Sequence, residues 1–200
     1  MRPPLLLSAL LAAITLPAHA VPNDWDVLSR NIPASACQVR DSAQAALVEM
    51  VQGAWRFAGN NVGRVTFTCP FPISYFPADH AEYLPGGTQM TFFRVWYRDS
   101  DGATNAASVQ ATPYVRLWPS GAWSNIGLVP GGGGFVPPGI CQFNSGNFGD
   151  LGFAAHVKDC DHTIQLNALY AFEVTIARNA ATLTVEFHGI DFHDGSTPAG

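Results

Sequence analysis

Lysine is almost missing from this sequence: Lys158 is the only one, and lysine and arginine together number 10 against 15 acidic residues, for a formal net charge of −5. A chain so short of cations has no basic stripe to neutralise a run of phosphates, which excludes nucleic acid as a partner. The same shortage argues against docking on anionic lipid. Beyond the first twenty residues every apolar run is cut by Gly, Pro or charge before it reaches the roughly 20 residues of a membrane-spanning helix, so no membrane span is expected. Local catalytic signatures are missing too. There is no C-x-x-C for redox or zinc chemistry, no G-x-S-x-G nucleophile elbow, and no Gly-rich loop closed by Lys-Ser or Lys-Thr to cradle phosphate. No cofactor and no metal are expected.

What is present begins with a leader. Arg2 precedes the apolar run Leu5 to Leu16, and Pro17-Ala18-His19-Ala20 has the small-x-small form of a cleavage site. Residues 1–20 therefore read as a signal peptide and 21–200 as a single domain, secreted or periplasmic, whose formal charge becomes −6 once Arg2 is removed from the −5 total. Four cysteines behind a secretory leader favour disulfides over free thiols. Of the three pairings they permit, Cys37 with Cys69 and Cys141 with Cys160 join sequence neighbours and are preferred. With both bridges formed, no cysteine remains as a nucleophile.

The 19 Gly and 15 Pro are spread along the whole chain and divide it into short runs rich in Val, Phe, Tyr, Trp and Thr, the punctuation of an all-β domain. Strands are expected at 54–58, 64–69, 89–98, 108–117, 125–129, 153–158, 162–167, 169–178 and 181–190. Residues 42–52 read as a strand or a short helix capped by Asp41. Period-two alternation places Phe93, Val95 and Tyr97 on one face of their strand and Met90, Phe92, Arg94, Trp96 and Arg98 on the other. Asp99-Ser100-Asp101-Gly102 is a turn sequence and suggests a central hairpin. A last hairpin is expected to set Phe172, Val174 and Ile176 opposite Phe187, Val185 and Leu183, with Glu173 opposite Glu186 on the other face. The expected fold is an antiparallel β-sandwich, jelly-roll-like, of about eight strands with two disulfides.

An early lone cysteine, the stretch Trp55-x-Phe57-x-Gly59-x-x-x-Gly63-x-Val65 leading to Cys69-Pro70, the Asp99-x-Asp101-Gly102 turn and the closing Tyr170-x-Phe172-x-Val174-x-Ile176-x-Arg178 strand resemble a group of small secreted bacterial proteins. The resemblance spans nearly all of 21–200. Its motifs are structural, and the group has no established activity, so it implies a secreted β-sandwich and transfers no catalytic or binding residue.

Three functions compete. Exposed aromatics on a sandwich can stack on sugar rings, and Trp96, Tyr114, Trp118 and Trp123 lie in or just after the central strands, with Arg94, Arg98 and Gln110 to supply polar contacts. This favours a noncatalytic binding domain for polysaccharide, the cell-envelope surface or another extracellular protein, with Arg94, Trp96, Arg98, Trp118 and Trp123 as the ligand face. The alternative is a glycoside-hydrolase-like enzyme using Glu173 and Glu186. Opposed strand positions put Cβ atoms roughly 4.5–5.5 Å apart, close to the carboxyl spacing of about 5–5.5 Å in retaining glycosidases. The third is a structural or self-assembling secreted protein, which requires an open strand edge or an apolar patch. Two His/Asp clusters, His188, Asp191, His193 and Asp194, and His156, Asp159, Asp161 and His162, have no recognised zinc spacing. The run Pro130 to Gly139, with four consecutive glycines, reads as a surface loop.

Overall fold

A computed structural model describes residues 30–71, 89–117, 122–126, 141–163 and 168–193. Its strands are β1 (Arg30–Pro33), β2 (Gln38–Val39), β3 (Val48–Val51), β4 (Ala54–Phe57), β5 (Gly63–Pro70), β6 (Gln89–Asp99), β7 (Ala107–Leu117), β8 (Trp123–Asn125), β9 (Phe143–Asn144), β10 (Gly152–Thr163), β11 (Ala168–Arg178) and β12 (Val185–His193). They form two six-stranded antiparallel sheets. Sheet A has the order β10-β6-β12-β4-β3, with β1 also paired to β12; sheet B has the order β2-β5-β11-β7-β8, with β9 also paired to β7. The strands beyond the expected eight are short ones that extend the sheets laterally.

Period-two alternation fills the space between the sheets. From sheet B, Val65, Phe67, Val109, Ala111, Phe172, Val174 and Ile176 are fully buried; from sheet A, Phe93, Val95, Tyr97, Phe187 and Ile190 meet them. Phe93 and Phe172 touch edge to face across the core, with ring centroids 5.2 Å apart, and Trp55 packs on Phe67 at the same distance. Both disulfides pair as expected, Cys37 with Cys69 and Cys141 with Cys160, and all four cysteines are buried.

Two sequence expectations are corrected here. The last two strands do not form a hairpin: β11 pairs with β5 and β7, whereas β12 pairs with β6, β4 and β1. The segment between them is an arch that carries the chain from sheet B to sheet A. The central turn after Asp99 is likewise an arch, from β6 in sheet A to β7 in sheet B. Alternation marks which side chains point inward, and both a hairpin and an arch satisfy it. Arg178 anchors the closing arch. Buried against the Phe57 ring at 5.0 Å, it donates from Nε to the carbonyl of Asn61 at 2.8 Å and from Nη2 to that of Gly59 at 2.8 Å. At the other arch Ser145 Oγ donates to Asp99 Oδ2 at 2.6 Å and accepts from the Val109 amide at 2.9 Å.

Smaller differences follow from local chemistry. Residues 42–47 form a 3-10 turn whose first amides are met by Asp41, which accepts from the Ala43 N–H, and the strand begins only at Val48. The expected break between 158 and 162 is a bulge inside one long strand, β10, with a register shift between Asp159 and His162. The strand expected at 125–129 overlaps β8 only at Asn125, and residues 127–129, 164–167 and the glycine run 130–139 lie outside the described residues.

Candidate functional site

The outer face of sheet B is built from the positions that alternate with its core residues. On β7 these are Ser108, Gln110, Thr112, Tyr114 and Arg116. Antiparallel partners share a face, so register adds Arg64, Thr66, Thr68 and Pro70 from β5, Leu169, Ala171, Glu173, Thr175 and Ala177 from β11, and Trp123 and Asn125 from β8. Much of this surface is hydroxyl and amide. Thr66 Oγ1 and Thr175 Oγ1 are 3.1 Å apart, and Gln44 Oε1 accepts from the Thr66 amide at 3.1 Å.

Toward the β8 end this face opens into a groove of about 450 Å³. Its floor is low because Ala171, a single methyl, stands in register between Pro70 and Tyr114. One wall is aromatic, Tyr114 and Trp123, and the other is polar, Thr68 with the ion pair of Arg40 and Glu173. Trp123 is 47% exposed, unusually open for an indole. Burial pushes the Tyr114 hydroxyl pKa up and the Glu173 charge adds to this, so the phenol stays a proton donor at the groove. The arrangement offers a flat ring for stacking, a phenol and a threonine hydroxyl, and a guanidinium and carboxylate held by one another. It contains no pair of opposed carboxylates.

The five residues expected on one ligand face do not meet. Arg94, Trp96 and Arg98 project from the outer face of sheet A, Trp123 from that of sheet B, and Trp118 lies outside the described residues. On sheet A the charges are mutually satisfied. Register sets Arg98, Glu186, Arg56 and Glu49 in one row of alternating sign across four strands. Arg98 Nε lies 3.9 Å from Glu186 Oε2, Arg56 Nη2 lies 2.8 Å from Glu49 Oε1, and Arg94 Nε lies 3.9 Å from Asp191 Oδ1. Trp96 is only partly exposed, its ring covered by Arg94 at 5.7 Å and flanked by Phe153 at 5.9 Å. A cavity of about 380 Å³ beside it is lined by Trp96 together with Asn31, His188 and Asp191.

The glutamate pair is also separated. Glu173 stands on sheet B, paired in register with Thr68 and Thr112, and Glu186 stands on sheet A opposite Arg56 and Arg98. The two carboxylates face away from the sandwich on opposite sides and cannot share a glycosidic bond, which removes the geometry on which the hydrolase alternative stood. The described histidines of the two His/Asp clusters each have a separate partner. His188 Nε2 is 3.1 Å from Glu186 Oε2, His156 bonds Asp150, and His162 Nε2 is 3.0 Å from the Tyr170 hydroxyl, with burial pushing its pKa down to about 4. Among the described residues no three His, Cys, Asp or Glu side chains converge as metal ligands do.

Asp99 and Asp101 serve the arch. Burial raises the Asp99 pKa to about 6, with the neighbouring Asp101 carboxyl adding to the rise and the Ser145 hydroxyl opposing it. Asp101 accepts from Thr104 Oγ1 and, at 2.7 Å, from the Ala107 amide, which fixes the entry to β7.

Sequence reasoning missed Arg40 and the part played by Glu173. The two are 133 residues apart and meet only because β2 and β11 both flank β5. Tyr114 carried a signal, since it alternates with Val115 on a strand whose neighbouring outward positions are all polar.

No protein-family model and no curated protein matches the sequence. Among solved structures, the fold resembles loosely a low-affinity xylan-binding module from the gut symbiont Roseburia intestinalis, at 12% identity and a TM-score of 0.39, covering 84% of this chain and 96% of that one. A second xylan-binding module gives 9% identity and a TM-score of 0.42 over 84% and 97% of the two chains. A domain of a multidomain xylanase from the hindgut metagenome of Trinervitermes trinervoides gives 10% identity and a TM-score of 0.38 over 84% and 99%. Likeness at this level does not extend to a ligand or a site; the finding that stands is an antiparallel β-sandwich closed by two disulfides.

Proposed function

We propose that this protein is a noncatalytic polysaccharide-binding domain, exported by its leader at residues 1–20, and that it holds its ligand in the groove on the outer face of sheet B. The observation that carries this reading is the exposed Trp123 indole set beside Tyr114, across a low Ala171 floor from Thr68 and the Arg40–Glu173 pair. A pyranose presents an apolar C–H face and a rim of equatorial hydroxyls. An indole accepts the first, and hydroxyl, guanidinium and carboxylate groups meet the second. The Arg40–Glu173 pair sets a guanidinium and a carboxylate side by side at the groove, so one sugar hydroxyl can donate to the carboxylate while its neighbour accepts from the guanidinium.

Titration calorimetry against soluble xylan, mannan and mixed-linkage glucan tests this. A saturable heat with at least one polymer is expected, reduced about tenfold or more in affinity by Trp123→Ala, as truncation of a central aromatic anchor usually is. Trp96→Ala, on the opposite sheet, should bind as the wild type does. Loss of binding on Trp96→Ala with retention on Trp123→Ala would move the site to sheet A and contradict the assignment.

A further inference from the structure

Among the described residues, one cation stands beside the exposed indole without an acidic partner. Arg116 projects outward from β7 and is paired in register with Trp123 on one side and Leu169 on the other. Elsewhere on the two outer faces Arg40, Arg56, Arg94 and Arg98 each lie within ion-pair distance of a carboxylate; Arg64, exposed at the start of β5 and paired in register with Ala177, stands at the other end of sheet B, away from any exposed aromatic. The row that holds Arg116 on the sheet, Leu169, Arg116 and Trp123, is apolar on both flanks. Arg116 extends the aromatic wall, and the Arg40–Glu173 pair across the groove is already balanced, so among the described residues Arg116 gives this end of the face a net positive charge in a chain whose total is −5.

Resting on the polysaccharide-binding reading, we infer that the natural ligand carries uronic acid carboxylates and that Arg116 receives one of them while Trp123 stacks on an adjoining ring. The guanidinium fork matches a carboxylate with two parallel N–H···O bonds, which a neutral hydroxymethyl group at the same ring position cannot reproduce. Long-range attraction plays no part, since the whole protein is anionic and repels polyanions at a distance. Selection for the acid is therefore local to this side chain.

Two matched probe pairs test the inference in the full-length mature protein: polygalacturonate with its fully methyl-esterified form, and glucuronoxylan before and after carboxyl reduction. In a pair that binds, the acid is expected to bind about fivefold tighter than its neutral counterpart, the upper end for a solvent-exposed ion pair. Arg116→Gln should bring the acid down to the neutral affinity and leave the neutral form unchanged, and Arg116→Lys should keep part of the preference. Equal binding of acid and neutral forms by the wild type overturns the inference and leaves the polysaccharide reading intact. So does a preference that survives Arg116→Gln, or binding confined to neutral polymers. Silence with both pairs and with xylan, mannan and glucan alike would instead overturn the polysaccharide reading itself.

Discussion

At the scale of single residues, the sharpest consequence outside the groove belongs to Asp99. This carboxyl is only 1% exposed, and its pKa rises from 3.8 to about 6 on folding, chiefly through burial. Between those values the folded protein holds a proton that the unfolded chain has released. Its contribution therefore favours the fold at low pH and is lost as pH rises from about 4 through 6. A shift of that size corresponds to on the order of 2–3 kcal/mol, part of it offset by Asp101, whose pKa is lowered by bonds to its neighbours. The thermal midpoint is expected to fall by about 5 °C between about pH 4.5 and pH 6.5, and Asp99→Asn should flatten that slope. Parallel slopes for the two proteins, read by differential scanning calorimetry, would show that Asp99 is not the group responsible. Asp99 and Asp101 were legible in the sequence as a turn. Their burial was not, because it depends on Ser145, 46 residues away, closing over the arch.

Among the elements, β12 shows how one glycine fixes a strand. Phe187 pairs with Tyr97 and Gly189 with Trp96, so His188 is the extra residue of a β-bulge. Gly189 adopts φ +151°, and a Cβ there would lie 2.8 Å from the Ile32 carbonyl oxygen on β1. Alanine at this position must therefore push β1 away from β12. Gly189→Ala is expected to cost about 2 kcal/mol or more in urea unfolding, whereas Gly149→Ala, where nothing lies within 4 Å of the added methyl, should be neutral. Equal effects of the two substitutions would contradict the close approach. The strands themselves were legible. The alternation of Phe93, Val95 and Tyr97, and of Phe172, Val174 and Ile176, identified the inward faces correctly, and cysteine proximity identified both disulfides. Which sheet each strand joins was not legible. The pairing of β11 with β5 and of β12 with β4 links segments more than 90 residues apart, and no local turn signal encodes it. A hairpin and an arch share the same alternation, which is why Glu173 and Glu186 looked like cross-strand neighbours in the sequence.

For the whole molecule, the sandwich separates two surfaces of different character. Sheet A presents a lattice of paired charges beside a tryptophan covered by Arg94, and sheet B presents Thr68 and Arg64 on β5 and ends in a groove lined by Tyr114 and Trp123. Composition sets the terms for this division. With one lysine and few arginines in the chain, the outward positions of β7 are mainly hydroxyl and amide groups, with Tyr114 the one aromatic of that strand. The groove as a unit was not legible there, since Arg40, Tyr114, Trp123 and Glu173 come from four separated stretches of chain. The most direct measurement is amide chemical-shift mapping of the isotope-labelled mature protein with a soluble polysaccharide fragment that binds it. Perturbations confined to Arg40, Thr68, the 114–116 and 123–125 segments and 169–173 would place the ligand in the sheet B groove. Perturbations centred on Arg94, Trp96, Phe153 and His188 would contradict the account and assign binding to the opposite face.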